Sequence, residues 1–182
     1  LSPLIIDLMR RGLITHVATN GASAIHDWEM AYQGATSEDV GENLPDGSFG
    51  FWRETLDALS GAAKRAQANS EGYGEAIGKT ILEGELPHRE LSVFSEATRL
   101  GIPATVHIAF GCDITHMDPE LDGAALGAAL GARGPLSLWL DGDPQGRSHL
   151  RQLRRGDQVL LWHLQRPVLL PGPLYIHRYV HT

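Results

Sequence analysis

Residues 15–29, THVATNGASAIHDWE, pass from an apolar segment through small residues into ionisable side chains. Small residues at the end of a strand allow a ligand to approach the backbone, and the first amides of a following helix bind phosphate groups. The candidate site for a phosphorylated ligand is therefore the predicted strand-to-helix loop at residues 19–24, Thr19-Asn20-Gly21-Ala22-Ser23-Ala24. This segment lacks the G-x-G-x-x-G spacing of dinucleotide-binding loops, so a tight strand-to-helix connection is the alternative explanation.

The ionisable residues of this segment are His26, Asp27 and Glu29. The positive end of a helix dipole favours acidic side chains, which explains Asp27 without any ligand. The dipole does not explain His26, whose imidazole can exchange a proton near neutral pH or hydrogen-bond a ribose hydroxyl. We therefore treat His26 as a candidate catalytic residue, and the alternative is a histidine with no catalytic role.

A second polar cluster follows a second apolar segment and contains Gly111, Asp113, His116 and Asp118. Together with His107, these residues include ligand types that hold divalent metals, although their spacing matches no metal site that we can derive. The sequence favours instead a strand-end loop without a metal, in which Gly111 allows close approach and Asp113 accepts hydrogen bonds from ribose hydroxyls. His116 and Asp118 would then meet a cationic or hydroxylated substrate, and His116 is also a candidate general base.

Apolar periodicity predicts the elements that position these clusters. Two short and almost continuously apolar segments, Leu13–Ala18 and Ile102–Ala109, predict strands of a parallel sheet that is covered on both faces. Apolar residues at helical spacing predict helices at Leu4–Arg11, Ile25–Gln33, Phe51–Gln67, Gly74–Leu82, Leu91–Leu100 and Leu121–Leu130. Alternating helices and apolar strands predict an α/β fold. In such a sheet, ligands bind beyond the carboxyl ends of the strands, where both polar clusters lie.

The composition is that of an ordinary globular protein, with 182 residues of which 42% are hydrophobic and 20% charged. The net charge of -7 disfavours a nucleic-acid partner, because surfaces that bind nucleic acids carry basic patches. No apolar run approaches the length of a membrane helix, and no segment has the pattern of a signal peptide. The single cysteine, Cys112, fits a reducing compartment, so we expect a cytoplasmic location without membrane attachment.

Residues 133–182 differ in composition from residues 1–132. They contain no Ala, Glu or Lys and carry seven Arg against three Asp, whereas residues 1–132 contain 19 Ala. Such a change marks either a second domain or linker, or residues translated out of frame. Because the chain also opens on Leu1 within an apolar pattern, we expect a fragment with a partial α/β domain over 1–132 and a tail over 133–182.

Residues 14–29 and 91–130 resemble the deoxyhypusine synthase family, and more closely its bacterial deoxyhypusine synthase-like branch. That family has a strand, a Thr-Thr-Ala-Gly-Gly turn and an acidic helix start, where this chain has VATNGA followed by His26-Asp27. Its second segment is a helix, an Ile-Pro pair, a strand and a Thr-Asp-Gly-Ser-x-x-Asp-Met loop. This chain has Ile102-Pro103, a predicted strand and the loop FGCDITHM at residues 110–117.

The resemblance implies a Rossmann-like parallel sheet with flanking helices, here incomplete at both ends, that binds NAD within a homotetramer. It implies that NAD takes a hydride from spermidine, and that an aminobutyl group passes through an imine on an enzyme lysine to a protein lysine. The expected substrate is a polyamine or related amine, and the expected acceptor is a protein lysine. By position, the implied NAD contacts are Thr19, Asn20, Gly21, Ala22, Asp27, Gly111 and Asp113, and the implied substrate contacts are His116 and Asp118.

Two departures from the family pattern bear on the activity. His116 stands where the family has a polyamine-binding aspartate, and a histidine lacks a permanent negative charge, although Asp118 lies close by in the sequence. The family's imine-forming lysine belongs to a segment beyond residue 130, whereas the lysines of this chain are Lys64 and Lys79. The alternative to a transferase is therefore a noncatalytic NAD-binding or assembly subunit without that lysine.

Overall fold

The computed structural model describes residues 1–36, 40–48 and 52–131, and the backbone of residues 159–163 and 166–169. The helices of the described residues are α1 (Ser2–Arg10), α2 (Gly21–Gln33), α3 (Val40–Asn43), α4 (Arg53–Asn69), α5 (Tyr73–Glu83), α6 (Val93–Leu100) and α7 (Gly123–Gly131). The strands are β1 (His16–Asn20), β2 (Ala104–His107), β3 (Val159–His163) and β4 (Arg166–Leu169). A 3-10 turn at Ile114–Met117 follows β2.

The two predicted strands form neighbouring parallel strands. In β1 and β2, Val17 lies opposite Ala104 and Asn20 lies opposite His107. β3 pairs in parallel with the other side of β1, and β4 is antiparallel to β3, so the strand order is β2-β1-β3-β4. The chain is therefore a mixed α/β protein in which parallel strands bring the ends of β1 and β2 to the same edge of the sheet.

The connection between β1 and β2 is much longer than a single crossover helix, because α2 to α6 all lie between the two strands. The sequence predicts several helices between these two strands, and the structure has them there. The added helices bury their apolar faces largely on each other, since α4 packs against α5 and α7, and α5 packs against α6. A narrow alanine face on α4, formed by Ala62, Ala63 and Ala66, is buried in this layer.

Most of the predicted helices are present with modest shifts of their ends. The predictions Gly74–Leu82 and Leu121–Leu130 correspond to α5 and α7, and Leu91–Leu100 corresponds to α6. The prediction Phe51–Gln67 corresponds to α4, although Phe51 lies outside the described residues. The strand predicted at Leu13–Ala18 begins later, because Leu13 belongs to the turn that closes α1, where its N–H donates to the carbonyl of Leu8 at 2.9 Å.

One hydrophobic core joins the two strands to the helices around them. Val17 of β1 and Val106 of β2 are buried together with side chains from the helices and their connections, namely Ile14, Trp28, Leu59, Ile77, Ile81, Val93, Phe94 and Leu126. α1 adds Ile5, Ile6 and Met9, its three buried positions. Within the described part of the chain, no helix has the length and apolar content needed to cross a bilayer. The proposed boundary between residues 132 and 133 stays a prediction.

Gly78 lets α5 and α6 pack at close range. A Cβ atom at this position would overlap the carbonyl oxygen of Phe94 and the hydroxyl of Thr98, both on α6. The carbonyl belongs to the helix backbone and cannot rotate aside, so relief of the overlap requires the two helices to move apart. Because Phe94 is fully buried in the core, that movement would disturb the packing next to β2 as well.

We predict that Gly78→Ala lowers the free energy of unfolding by about 1 to 3 kcal/mol, the usual cost of forcing extra atoms into a packed interior. Alanine favours helices over glycine by about 1 kcal/mol, so a loss would show that the overlap outweighs the helix propensity. Urea denaturation measures the difference. The matched control is Gly61→Ala, since a Cβ at Gly61 of α4 meets open space and should leave stability equal or slightly higher. Equal stability of the two variants would contradict the prediction.

Candidate functional site

β1 continues into α2 without an intervening loop. The helix begins at Gly21, directly after the last strand residue, Asn20, whose side-chain oxygen accepts hydrogen bonds from the Ser23 N–H at 2.9 Å and the Ser23 hydroxyl at 3.0 Å. The prediction of a loop at residues 19–24 and a helix starting at Ile25 is therefore wrong. The side-chain cap satisfies an N–H group of the first turn and allows the helix to begin at once.

β2 ends in a short loop that folds back on itself. The carbonyl of Ala109 accepts hydrogen bonds from the N–H groups of Cys112 and Asp113, at 2.9 and 3.2 Å. The carbonyl of Asp113 then accepts from the His116 N–H at 3.0 Å, which starts the 3-10 turn. The side chain of Asp113 also accepts from the Ala109 N–H at 3.3 Å. These bonds hold residues 109–116 as one compact segment at the carboxyl end of β2.

The two predicted polar segments meet at Gly21 and Asp113. The carboxylate of Asp113 lies so close to Gly21 that a Cβ atom on residue 21 would overlap it. We call Gly21, Tyr73, Asp113, Thr115 and His116 the strand-end cluster, because these residues surround one small cavity beyond the ends of β1 and β2. The remaining wall residues are Ala24, Leu56, Leu59, Ser60, Ile108, Leu121 and Leu126. The cavity has a volume of about 10 Å³, which is room for about one water molecule.

The electrostatics of the cluster centre on Asp113. Burial raises the pKa of its carboxyl group, and the Ala109 N–H and the nearby His116 act in the opposite direction. Burial also raises the pKa of Tyr73, and the negative charge of Asp113 adds to that effect. The Tyr73 hydroxyl donates a hydrogen bond to the carbonyl of Leu59 at 3.3 Å. Two acidic groups, one carboxylic and one phenolic, therefore face the same enclosed space.

His116 has a defined orientation in this cluster. Its Nδ1 atom accepts a hydrogen bond from the Gly111 N–H at 3.0 Å, so the neutral ring carries its proton on Nε2. That Nε2 atom is buried and has no hydrogen-bond partner among the residues that the structure describes. The ring lies against Phe110, with the ring centroids 5.9 Å apart. In this arrangement the neutral His116 ring can donate a hydrogen bond through Nε2, whereas the predicted role of general base requires the ring to turn or Nδ1 to be released.

The other predicted contacts of the first segment have structural roles. Thr19 is buried, and its hydroxyl donates to the carbonyl of Thr105 at 3.3 Å, which joins β1 to β2. Asn20 caps α2, and Ala22 lies half-buried in the first turn of that helix. Gly21 contacts the second polar loop closely, because a Cβ atom at this position would overlap the Asp113 carboxylate.

Asp27 lies away from the cavity and caps a different helix. Its carboxylate accepts hydrogen bonds from the Ser92 hydroxyl at 2.5 Å, from the Val93 N–H at 2.7 Å and from the Phe94 N–H at 3.2 Å. The acidic side chain is thus stabilised by the N-terminus of α6 and not by the dipole of its own helix. Full burial outweighs these hydrogen bonds and raises the pKa of Asp27 to about 6.

His26 also lies outside the strand-end cluster. Its side chain is 41% exposed on α2, and Nδ1 is 3.9 Å from a carboxylate oxygen of Glu29. Glu29 is buried and accepts a hydrogen bond from the Thr55 hydroxyl at 3.1 Å. The structure therefore places the two predicted catalytic histidines in different surroundings, with only His116 at the cavity.

Asp118 shapes the chain after the 3-10 turn. Its side chain accepts from the Glu120 N–H at 3.1 Å and lies 3.9 Å from the guanidinium of Arg53. His107, at the end of β2, lies 3.3 Å from the Thr105 hydroxyl. Within the described ranges, no group of three or more His, Cys, Asp or Glu side chains is arranged to hold a metal ion.

The lysines do not line the cavity. Lys79 of α5 forms ion pairs with Glu71 at 2.8 Å and Glu75 at 2.7 Å. Lys64 is exposed on α4. Sequence reasoning missed Tyr73, which reaches the cavity from the start of α5, because only the packing of α4 and α5 brings it there. Its one available signal was an aromatic residue between Gly72 and Gly74 at a helix start.

Comparisons of the chain with protein-family models, with curated proteins and with solved structures gave no match. The resemblance to the deoxyhypusine synthase family therefore stays a prediction.

We predict that Asp27→Ala lowers the free energy of unfolding by about 3 kcal/mol, because it leaves three donors at the start of α6 without an acceptor. Asp27→Asn keeps one acceptor and should cost less. The pKa of Asp27 is raised in the folded state, so its contribution to stability is present below the unfolded pKa, near 4, and is lost as the pH rises through about 6.

Thermal unfolding of the wild type and Asp27→Asn between pH 4 and 7 tests this assignment. The wild type should lose stability relative to Asp27→Asn as the pH rises across that range. A stability difference between the two proteins that stays constant with pH would show that Asp27 does not titrate as proposed. Asp7→Asn, which removes an exposed carboxylate from α1, is the control for a general change in charge.

Proposed function

We propose that this chain binds a nicotinamide dinucleotide at the strand-end cluster and acts in an NAD-dependent transferase reaction of the deoxyhypusine synthase type. The observation that carries the proposal is the contact between Gly21 and Asp113. The two segments that resemble the family's NAD-binding loops are far apart in sequence, yet they meet beyond the carboxyl ends of two neighbouring parallel strands. That position is where open α/β sheets bind ligands.

The cluster offers a polar ligand a close approach to the backbone and one hydrogen-bond donor. Because Gly21 has no side chain, another group can lie close to its backbone. The carboxylate of Asp113 now occupies the space that a side chain would fill. The buried Nε2–H group of His116 is a hydrogen-bond donor that has no acceptor among the described residues. The present cavity is far smaller than a dinucleotide, so binding requires residues 109–116 to move away from α2.

NAD, when bound, supplies the acceptor for a hydride from the amine substrate. The chain's own groups would orient the ligands and move protons. His116 can donate a hydrogen bond through Nε2, and Tyr73 holds its hydroxyl proton because burial raises its pKa. Asp113 supplies the negative charge of the cluster that an ammonium group requires. The proposed substrate is therefore a polyamine or a related amine, with a protein lysine as the final acceptor.

A second candidate is a dinucleotide-binding subunit that performs no imine chemistry. The lysine positions favour it, because Lys79 is paired with two glutamates, Lys64 is exposed on α4, and neither lines the cavity. The sequence beyond residue 131 contains no lysine. Under this alternative the chain binds NAD and carries out no aminobutyl transfer.

Calorimetric titration with NAD is the first experiment, followed by measurement of NADH absorbance with spermidine present. We expect binding by the wild type and loss of binding in Gly21→Val, whose side chain fills the space above α2. His116→Leu is a second variant for use if Gly21→Val does not fold, and Gly61→Ala is the matched glycine control. Binding with NADH formation supports the transferase, and binding without it supports the noncatalytic subunit. The absence of binding by well-folded wild-type protein would overturn both.

A further inference from the structure

The hydrogen bond between Gly111 and His116 can form only when the His116 ring is neutral. The Gly111 N–H donates to Nδ1 of His116 at 3.0 Å, so this nitrogen must carry a lone pair. A protonated imidazole has a hydrogen on both of its nitrogens and offers no acceptor. Protonation of His116 would therefore place two N–H groups against each other and end this hydrogen bond.

This hydrogen bond ties the exposed tip of the segment after β2 to the 3-10 turn that contains His116. The tip consists of Phe110, which is 66% exposed, and Gly111, whose φ is +78°. The N–H groups of Cys112 and Asp113 donate instead to Ala109, at the base of the segment. Glycine changes its backbone conformation at little steric cost. Loss of the bond to His116 would therefore release residues 110–111 while the hydrogen bonds at the base remain.

The groups around His116 offer a protonated ring a new partner on its own segment. Burial raises the pKa of the Asp113 carboxyl group, and the charge of the nearby His116 acts against that effect. From α5, Tyr73 lines the same cavity and keeps its proton, because burial raises the pKa of its hydroxyl. Asp118, two positions after His116, lies 3.9 Å from the guanidinium of Arg53. The cavity residues from α2, α4 and α7 are uncharged, namely Gly21, Ala24, Leu56, Leu59, Ser60 and Leu126.

We propose that His116 is a pH-sensitive switch for the loop after β2. The neutral ring holds Gly111 and keeps the tip of the loop closed, whereas the protonated ring releases Gly111 and pairs with the Asp113 carboxylate. The proton comes from the solvent, and no covalent bond to a heavy atom changes. This inference goes beyond the proposed function and does not depend on it, because every group that takes part belongs to the chain itself.

The test follows the Gly111 amide and the His116 ring by NMR from about pH 8 to about pH 5, the range in which histidines titrate. We expect the Gly111 amide resonance to change with the same midpoint as the His116 ring. The protection of this amide against hydrogen exchange, corrected for the intrinsic pH dependence, should fall by about fivefold, as expected for the loss of one hydrogen bond. The amide of Cys112, which donates to Ala109, should keep its protection.

The matched variant is His116→Asn, whose side-chain oxygen can accept the Gly111 N–H but does not titrate. Its Gly111 amide should keep the same protection across the pH range. His26→Asn removes a partly exposed histidine from α2 and should respond to pH as the wild type does. A response that persists in His116→Asn would assign the effect to Asp113, which both proteins contain, and would overturn the proposal. In the wild type alone, different midpoints for Gly111 and His116, or constant protection of Gly111, would also overturn it.

Discussion

The buried carboxylate of Asp27 is the interaction on which the arrangement of the two strands depends. Asp27 belongs to α2, which follows β1, and its three hydrogen-bond donors belong to the start of α6, which precedes β2. One side chain therefore fixes the relative positions of two units, β1 with α2 and α6 with β2. Full burial of a carboxyl group costs free energy, whether the group is charged or protonated. The three hydrogen bonds to Asp27 offset this cost, and their donors would be unsatisfied without the carboxyl group.

The same arrangement explains why the strand-end cluster exists. With the start of α6 bound to Asp27 of α2, β2 lies beside β1, and the segment after β2 turns back toward the start of α2. Gly21 accommodates that turn because it has no side chain, and the Asp113 carboxylate lies in the space that a side chain at residue 21 would fill. The cluster thus depends on the capping of two helix N-termini. Asp27 caps the N-terminus of α6, and Asn20 caps the N-terminus of α2, beside Asp113. His116 completes it with a buried donor.

The sequence pattern predicted most of the helices and both of the first two strands, but it did not predict the tertiary contacts between them. Continuous apolar runs before Thr19 and before Gly111 predicted both strands, and the parallel pairing follows from their burial. The start of α2 was missed because Asn20-Gly21 is equally typical of a turn, and only the side chain of Ser23 beside Asn20 distinguishes a helix cap. The partner of Asp27 could not be predicted, since Ser92 lies 65 positions away. Tyr73 was missed for the same reason, because tertiary packing alone brings it to the cavity.

The register of β1 and β2 also has a consequence for how the chain folds. Thr105 bonds to Val17 across 88 positions of sequence, and α2 to α6 lie between them. Closing a loop of that length carries a large entropic cost before any strand contact forms, and such non-local pairing slows folding. The helices, whose hydrogen bonds are local, shorten the effective loop as they form and pack. We therefore expect β1 and β2 to pair late in folding, after the helices between them have formed and packed.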